Sequence, residues 1–347
     1  AATTASLARL GLDPHEVAVW EDGYRAKDDE AHTFEWWYFD MQLDDGSTLV
    51  ATFSNKPHTE PHGPLKPSVL VIYHDPDGSR IRQTDEYAAE DFAAAATHCD
   101  VRIGPNTVAG DLSTYTIHLA TADLEADLTL DRRAPSWRPG AGISYFNSQQ
   151  TTYMGWVVAV PYGQVSGTIT YKGVQRQITG SAYHDHNWGN ELMSAMLDHW
   201  YWGRAHIGDY TVVYVRMTTK GIFGFGAINL PTFLLVKGET ILTDDMLPLL
   251  LETSGDMPGP GHQTYPTDMR WTWTSDEGSV ELHVTNPSLI EALDMTEGEP
   301  AWKRPLMHLV EHPMYYDFNA DAKLTIDLKG TKETVTGRTL YEKMMFR

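Results

Sequence analysis

A mostly β, antiparallel fold follows from three features of this 347-residue sequence. Short runs rich in β-branched and aromatic residues recur at roughly eight-to-twelve-residue spacing, with Gly, Pro, Asn and Asp turn signals between them. Strand signals outnumber helix signals along the whole chain. No strand–helix–strand rhythm appears, which argues against a parallel α/β sheet. The length favours about two domains. The rhythm changes between Trp188 and Trp200, so the expected domains are 1–190 and 191–347.

Residues 1–33 form a lead-in. ASLARLGL predicts a short helix stopped at Asp13-Pro14. The polar EDGYRAKDDEAHT is expected to wrap the outside of a barrel. FEWWYFDMQL is a dense aromatic strand, and Asp44-Asp45-Gly46-Ser47 turns it into TLVATFS. Alternation puts Glu35, Trp37 and Phe39 on one face and Trp36, Tyr38 and Asp40 on the other. The pattern does not say which face points inward. The four-proline segment 55–67 reads as an irregular loop. SVLVIYHDPDGSRIRQTDEY is a hairpin turned at Asp75–Ser79, and AAEDFAAAAT (88–97) is the best helix candidate of this half. THCDVRIG, STYTIHLAT and LEADLTLD each alternate as strands.

A Gly- and Pro-rich link, 136–163, leads into another strand pair, and VSGTITYKGVQRQITGSAYH is a hairpin on a Lys-Gly turn. Beyond Trp200, GDYTVVYVRM and TFLLVKGETILTDD add strands. ETSGDMPGPGHQTYP reads as a flexible insertion on composition. MRWTWTSDEGSVELHVTNP is a hairpin with Asp276-Glu277-Gly278 at its turn, and the tail supplies a last strand pair. GIFGFGAI (221–228) carries three glycines in β-like surroundings, a weak setting for a phosphate loop.

Composition narrows the function classes. Forty-seven acidic residues against 26 basic ones give a net charge of −21. That disfavours nucleic-acid binding and adhesion to an anionic membrane, both of which use clustered Lys and Arg. Cys99 is the only cysteine, so no intrachain disulfide exists, and a buried structural thiol is expected. No apolar run approaches the ~18 residues of a membrane span. No signal peptide is visible, although a removed one would leave no trace. The cytoplasm is the expected compartment.

The chemistry concentrates in GSAYHDHNWGN (180–190) and HWYWGRAH (199–206). If 182–188 is extended, Tyr183, Asp185 and Asn187 share one face, and His184, His186 and Trp188 share the other. A carboxyl group among aromatic walls is poorly solvated, and its pKa rises toward the range a general acid needs. Protonating an alkene gives a carbocation, which aromatic faces stabilise. Trp200, Trp202 and Arg204 share a strand face. Arg204 could orient a carbonyl or enolate oxygen, or pair with Glu35 or Asp40. His184-x-His186 followed by Glu191 suggests a cupin-like metal site, but the flanking glycines are misplaced and no second segment follows. No metal is expected. The sequence also lacks a GxSxG elbow, a GxxxxGK[ST] loop, a strand-linked GxGxxG and an HExxH pair. Nothing requests a nucleotide, flavin or nicotinamide, and no cofactor is expected.

GSAYHDHNWGN followed by WYWGRAH, together with FEWWYFDMQLDDGSTLVATFS at 34–54, resembles the carotenoid 1,2-hydratase (hydroxyneurosporene synthase) and AttH-like family. That family includes the lipocalin-like Diels–Alderases and kievitone hydratase. The resemblance implies two lipocalin-like antiparallel β-barrels packed together. It places the acid/base role on Asp185, with Tyr183 as its neighbour. The aromatic anchors supply the expected substrate-binding set: Glu35, Trp36, Trp37, Tyr38, Asn187, Trp200, Trp202 and Arg204. The implied partner is a hydrophobic small molecule, a polyene, terpenoid or polyketide. Three readings stay open: acid-assisted hydration or cyclisation at a C=C bond, a Diels–Alderase-type [4+2] cyclase working mainly by conformational restriction, and a lipocalin-like carrier without turnover.

Overall fold

The computed structural model describes residues 4–221, 227–296 and 313–346, and its regular structure is dominated by antiparallel strands. The chain divides into two compact units, Ala2–Met193 and Ser194–Arg347. Among the described residues no helix is long and apolar enough to cross a membrane.

The first unit opens with a short helix, α1 (Thr4–Leu10). Four strands then form a meander: β1 (Phe34–Leu43), β2 (Thr48–Ser54), β3 (Ser68–His74) and β4 (Arg80–Glu86). Five more follow: β5 (Phe92–Ala94), β6 (Cys99–Ile103), β7 (Asn106–Gly110), β8 (Thr114–Ala120) and β9 (Leu124–Arg132). The short β10 (Ile143–Tyr145) precedes two long strands, β11 (Tyr153–Tyr171) and β12 (Val174–Gly189), joined by a turn at Lys172-Gly173 with φ of 50° and 77°. The order across the sheet is β4-β3-β2-β1-β12-β11-β9-β8-β7-β6-β5, with β10 beside β11. The last strand thus pairs with the first, and every pairing is antiparallel.

Alternation supplies the core. β2 and β3 bury every second residue, turning Leu49, Ala51, Phe53, Val69, Val71 and Tyr73 inward. β1 turns Trp37, Phe39 and Met41 toward the same cluster, so its Glu35/Trp37/Phe39 face is the inner one. Each such side chain contributes about 1.5–3 kcal/mol on burial, and this fixes the register of β1 against a one-residue slip.

The second unit winds the same way. Its strands are β13 (Leu197–Ile207), β14 (Tyr210–Thr219), β15 (Asn229–Lys237), β16 (Thr240–Thr243), β17 (Leu249–Pro258), β18 (Thr264–Ser275), β19 (Gly278–Asp294), β20 (Met314–Leu328) and β21 (Thr331–Met345). Their order is β16-β15-β14-β13-β21-β20-β19-β18-β17. Again the last strand pairs with the first. The core of this unit is aromatic, with Tyr214, Trp271, Phe318 and Tyr341 among its members.

Three sequence expectations are corrected. Residues 88–97 are not a helix: Ala89–Asp91 makes one 3-10 turn, and Phe92–Ala94 pairs with β6 as an edge strand. A short alanine run holds little helical stability in water, and packing Phe92 and Ala94 against the core outweighs its propensity. Lys27, Asp28, Asp29, Ala31 and His32 are exposed as expected, whereas the first part of 21–33 does not wrap the outside, since Glu21, Asp22, Tyr24 and Ala26 are buried. Their polar groups have partners inside: Glu21 pairs with buried Arg138 at 2.9 Å, and Asp22 accepts from Tyr115. Residues 252–266 are largely the β17–β18 hairpin around a Pro260–His262 turn rather than an irregular insertion. The glycine run at 222–226 lies outside the described residues.

Candidate active site

The site is built on β12 and its two neighbours. Residues directly opposite one another in an antiparallel pair point to the same side. β1 pairs with β12 so that Asp40 faces Tyr183, Tyr38 faces Asp185 and Trp36 faces Asn187. From β11, Trp156 faces Asn187. The outer face therefore gathers Trp36, Tyr38, Trp156, Tyr183, Asp185 and Asn187. Beyond Val157 the β11–β12 register shifts twice. Such irregularity locally bends and re-aims a strand.

On this face Asp185 is held by three donors. The Tyr183 hydroxyl and the Trp156 indole N–H each donate to Oδ2 at 2.8 Å, and the Asn187 amide donates to Oδ1 at 2.8 Å. Asp185 and Asn187 are 6% exposed and Tyr183 is fully buried. Burial pushes the Asp185 carboxyl up from its ordinary 3.8 to about 6. Bonds from Tyr183, Trp156 and Asn187, and the charge of His184, pull the other way. Each carboxylate oxygen has two lone pairs. Oδ2 uses both and Oδ1 uses one, so the fourth position, on Oδ1, is where a proton can sit. Tyr38 packs edge-on to Tyr183 with centroids 6.4 Å apart, and Trp36 stacks on Phe34 at 5.4 Å. A carboxyl group with its pKa raised to about 6 beside the half-buried rings of Trp36, Tyr38 and Trp156 can protonate a carbon–carbon double bond.

The other face of β12 is different. His184 and His186 point into the first unit's core, stacked on Phe39 (4.0 Å) and Trp37 (4.7 Å). The His184 ring nitrogens meet the Tyr38 carbonyl at 2.9 Å and Asp22 Oδ2 at 3.2 Å, and His186 meets Glu35 Oε1 at 2.6 Å. Asp22, Cys99 and His184 bring one ligand atom each within 4.8 Å of one another. This donor set fits a metal poorly. Asp22 is already engaged by Tyr115 and His184, and burial with the Asp22 charge pushes the Cys99 thiol well up, away from the thiolate a metal binds. The cluster reads as a polar core in which Asp22 Oδ2 is paired, while Asp22 Oδ1 and His186 Nδ1, 3.5 Å apart, have no hydrogen-bond partner.

The sequence candidates separate accordingly. Tyr183, Asp185, Asn187, Trp36 and Tyr38 come together on the outer face. Glu35 and Trp37 lie on the inner one: the Glu35 carboxylate accepts from the backbone N–H groups of Arg25 (2.7 Å) and Ala26 (2.6 Å) as well as meeting His186. Its oxygens hold the 21–28 segment in place, so substrate would not find them available. Trp200, Trp202 and Arg204 sit on β13 in the second unit, on the side opposite core residues Tyr201 and Ala205. Sequence reasoning missed Trp156, Asp22 and Tyr115. Trp156 lies in an apolar run, YMGWVVAV, with no polar neighbour to mark it. Only the strand register, set by residues far along the chain, reveals it.

Residues 30–245 match the family described as Diels-Alderase-like. The chain is 23% identical over 275 residues to the quinolone epoxide rearrangement protein asqO of Emericella nidulans, covering 74% of this chain and 73% of that protein. Among solved structures, CghA with Sch210972 matches at a TM-score of 0.65 and 15% identity, over 91% of this chain and 89% of that one. Kievitone hydratase from Nectria haematococca matches at a TM-score of 0.59 and 16% identity, over 96% and 94%. These likenesses carry the lipocalin-like fold across. With well over half its length matched, the chain belongs to the Diels–Alderase-like family of enzymes.

Proposed function

We propose that this protein is a cofactor-independent enzyme acting on a carbon–carbon double bond of a hydrophobic polyene, terpenoid or polyketide, with Asp185 as its acid and base. One observation carries the reading: a buried carboxyl with its pKa raised to about 6, held by three donors beside aromatic side chains. The proton on Oδ1 moves to one alkene carbon, forming a C–H bond from the π pair and leaving a cation on the neighbouring carbon. The Tyr183, Trp156 and Asn187 donors stabilise the carboxylate as it forms, where fixed dipoles are most effective. Trp36 and Tyr38 offer π faces to the cation. In hydration, water adds to the cation and returns a proton to Asp185. In cyclisation, a second double bond adds instead, and a proton is lost to the same oxygen.

Asp185→Asn keeps the shape and removes the transferable proton. It should lower kcat by about 10²–10⁴-fold with KM little changed, because the group acts in the transition state. Turnover in D2O should leave deuterium on a product carbon. A folded Asp185→Asn enzyme with parental kcat, and a product without carbon-bound deuterium, would instead support the second reading. That reading is a [4+2] cyclase in which the aromatic face holds a linear polyene in a reactive fold. The family match favours it.

A further inference from the structure

The segment between β2 and β3 carries a side chain that the acid mechanism does not use. Residues 55–67 lack regular structure, yet they are firmly anchored. Asn55 donates its backbone N–H to the Glu35 carbonyl (3.0 Å) and receives the Lys66 N–H on its own carbonyl (3.0 Å), which closes the loop at its base. The Asn55 side chain accepts from the Glu35 N–H (2.7 Å) and donates to the Thr33 carbonyl (3.2 Å). Lys56, 1% exposed, turns its ammonium inward onto the carbonyls of Glu30, Gly63 (2.6 Å) and Pro61 (3.4 Å). A buried cation shared among three carbonyls holds both limbs of the loop together.

This anchoring presents His58 to the outer face. Its ring lies edge-on to Trp36, with centroids 5.9 Å apart, and edge-on to Phe34 at 6.4 Å. Trp36 is the direct strand partner of Asn187, and Tyr38, two residues on, is the partner of Asp185. His58 thus stands on the same wall as the acid, displaced by roughly 7 Å along the strand. Among the described residues its imidazole makes no hydrogen bond, although it is half-buried. Burial pushes its pKa down to about 4, so it is neutral at physiological pH. A neutral imidazole can both donate and accept. Its ring nitrogens are not among the buried unpartnered polar atoms, so water can reach them in the free protein and a ligand's polar atom can take that water's place.

We infer that His58 is a substrate-recognition residue that hydrogen-bonds a hydroxyl or carbonyl oxygen of an otherwise apolar substrate, fixing which double bond lies over Asp185. This deepens the proposed function, because it assumes that the outer face of β1 and β12 is where the apolar substrate lies. It adds that the substrate is oxygenated.

The test compares farnesol with farnesene, which share a fifteen-carbon apolar skeleton and differ in the hydroxyl. Quenching of tryptophan fluorescence in the full chain reports binding of each. The parent should bind farnesol more tightly than farnesene by about 3–10-fold, the yield of one hydrogen bond. His58→Phe keeps the aromatic packing and should abolish that preference by weakening farnesol alone, and His58→Asn should restore part of it. Thermal melting confirms that both variants are folded. Equal weakening of both ligands by His58→Phe would make His58 merely structural and overturn the inference. So would an unchanged preference, or a parent that binds neither ligand. Asp185→Asn should leave the preference intact. Loss of proton transfer and loss of oxygen recognition therefore fail independently.

Discussion

Asp185 titrates where it can matter. Its carboxyl must be protonated to act as an acid, and its pKa is raised to about 6 by burial. kcat/KM should therefore be highest below pH 6 and fall as pH rises through that value. Trp156→Phe removes one donor to the carboxylate. The ionised form loses a stabilising bond, so the falling limb should move to higher pH. The stability sign is equally fixed. The folded pKa lies above the unfolded 3.8, so proton binding stabilises the fold fully below about pH 3.8, and that contribution is gone above about pH 6. The shift corresponds to on the order of 3 kcal/mol. Denaturant melts between pH 4 and 7 should show this slope in the parent and lose it in Asp185→Asn. A slope unchanged in the variant would assign it to another group.

At the scale of the strand, much of the site was readable in advance. The alternation of Tyr183, Asp185 and Asn187 against His184, His186 and Trp188 needs only the period of two, and β12 obeys it. What the period could not say was which face of β1 turns inward, because Trp, Tyr and Phe occupy both. That was settled by core partners on β2, β3 and β8. The start of the 21–33 segment was misread for the same reason: Asp22 is polar alone and becomes a core residue only through His184 and Tyr115, 162 and 93 positions away. The β11–β12 pairing also explains a glycine. Gly155 faces Trp188, and a Cβ there would collide with the middle of that indole rather than a flexible end. Gly155→Ala should destabilise the protein by about 1–3 kcal/mol through overpacking. A denaturant melt of the variant should show the lowered midpoint, and an unchanged midpoint would mean that Trp188 can move aside.

Across the whole molecule, two units share one winding but fill it differently. In each unit the last strand lies beside the first, a repeat the residues themselves do not show, because topology leaves no periodic trace once they have diverged; only the family resemblance pointed to two like barrels. The first unit encloses the carboxylates of Asp22 and Glu35 with two histidines, whereas the second encloses Tyr214, Trp271, Phe318 and Tyr341. Their responses to acid should differ. Burial alone would raise the Asp22 pKa, but the charges of His184 and His186 and the bonds from His184 and Tyr115 bring it below 3.8. A lowered folded pKa gives stability that is present above the unfolded value and lost as pH falls through the folded one. The gain from protonating Asp185 is already complete at that point, so nothing at the outer face offsets the loss. The first unit should therefore loosen first as pH drops below about 4. Pepsin digestion of the full chain from pH 4 to pH 2, followed by mass spectrometry, should find the earliest cuts within Ala2–Met193 and later ones within Ser194–Arg347. Asp22→Asn removes the titrating group and should flatten the pH dependence of those first cuts. Early cleavage confined to the second unit would show that Asp22 does not control acid stability.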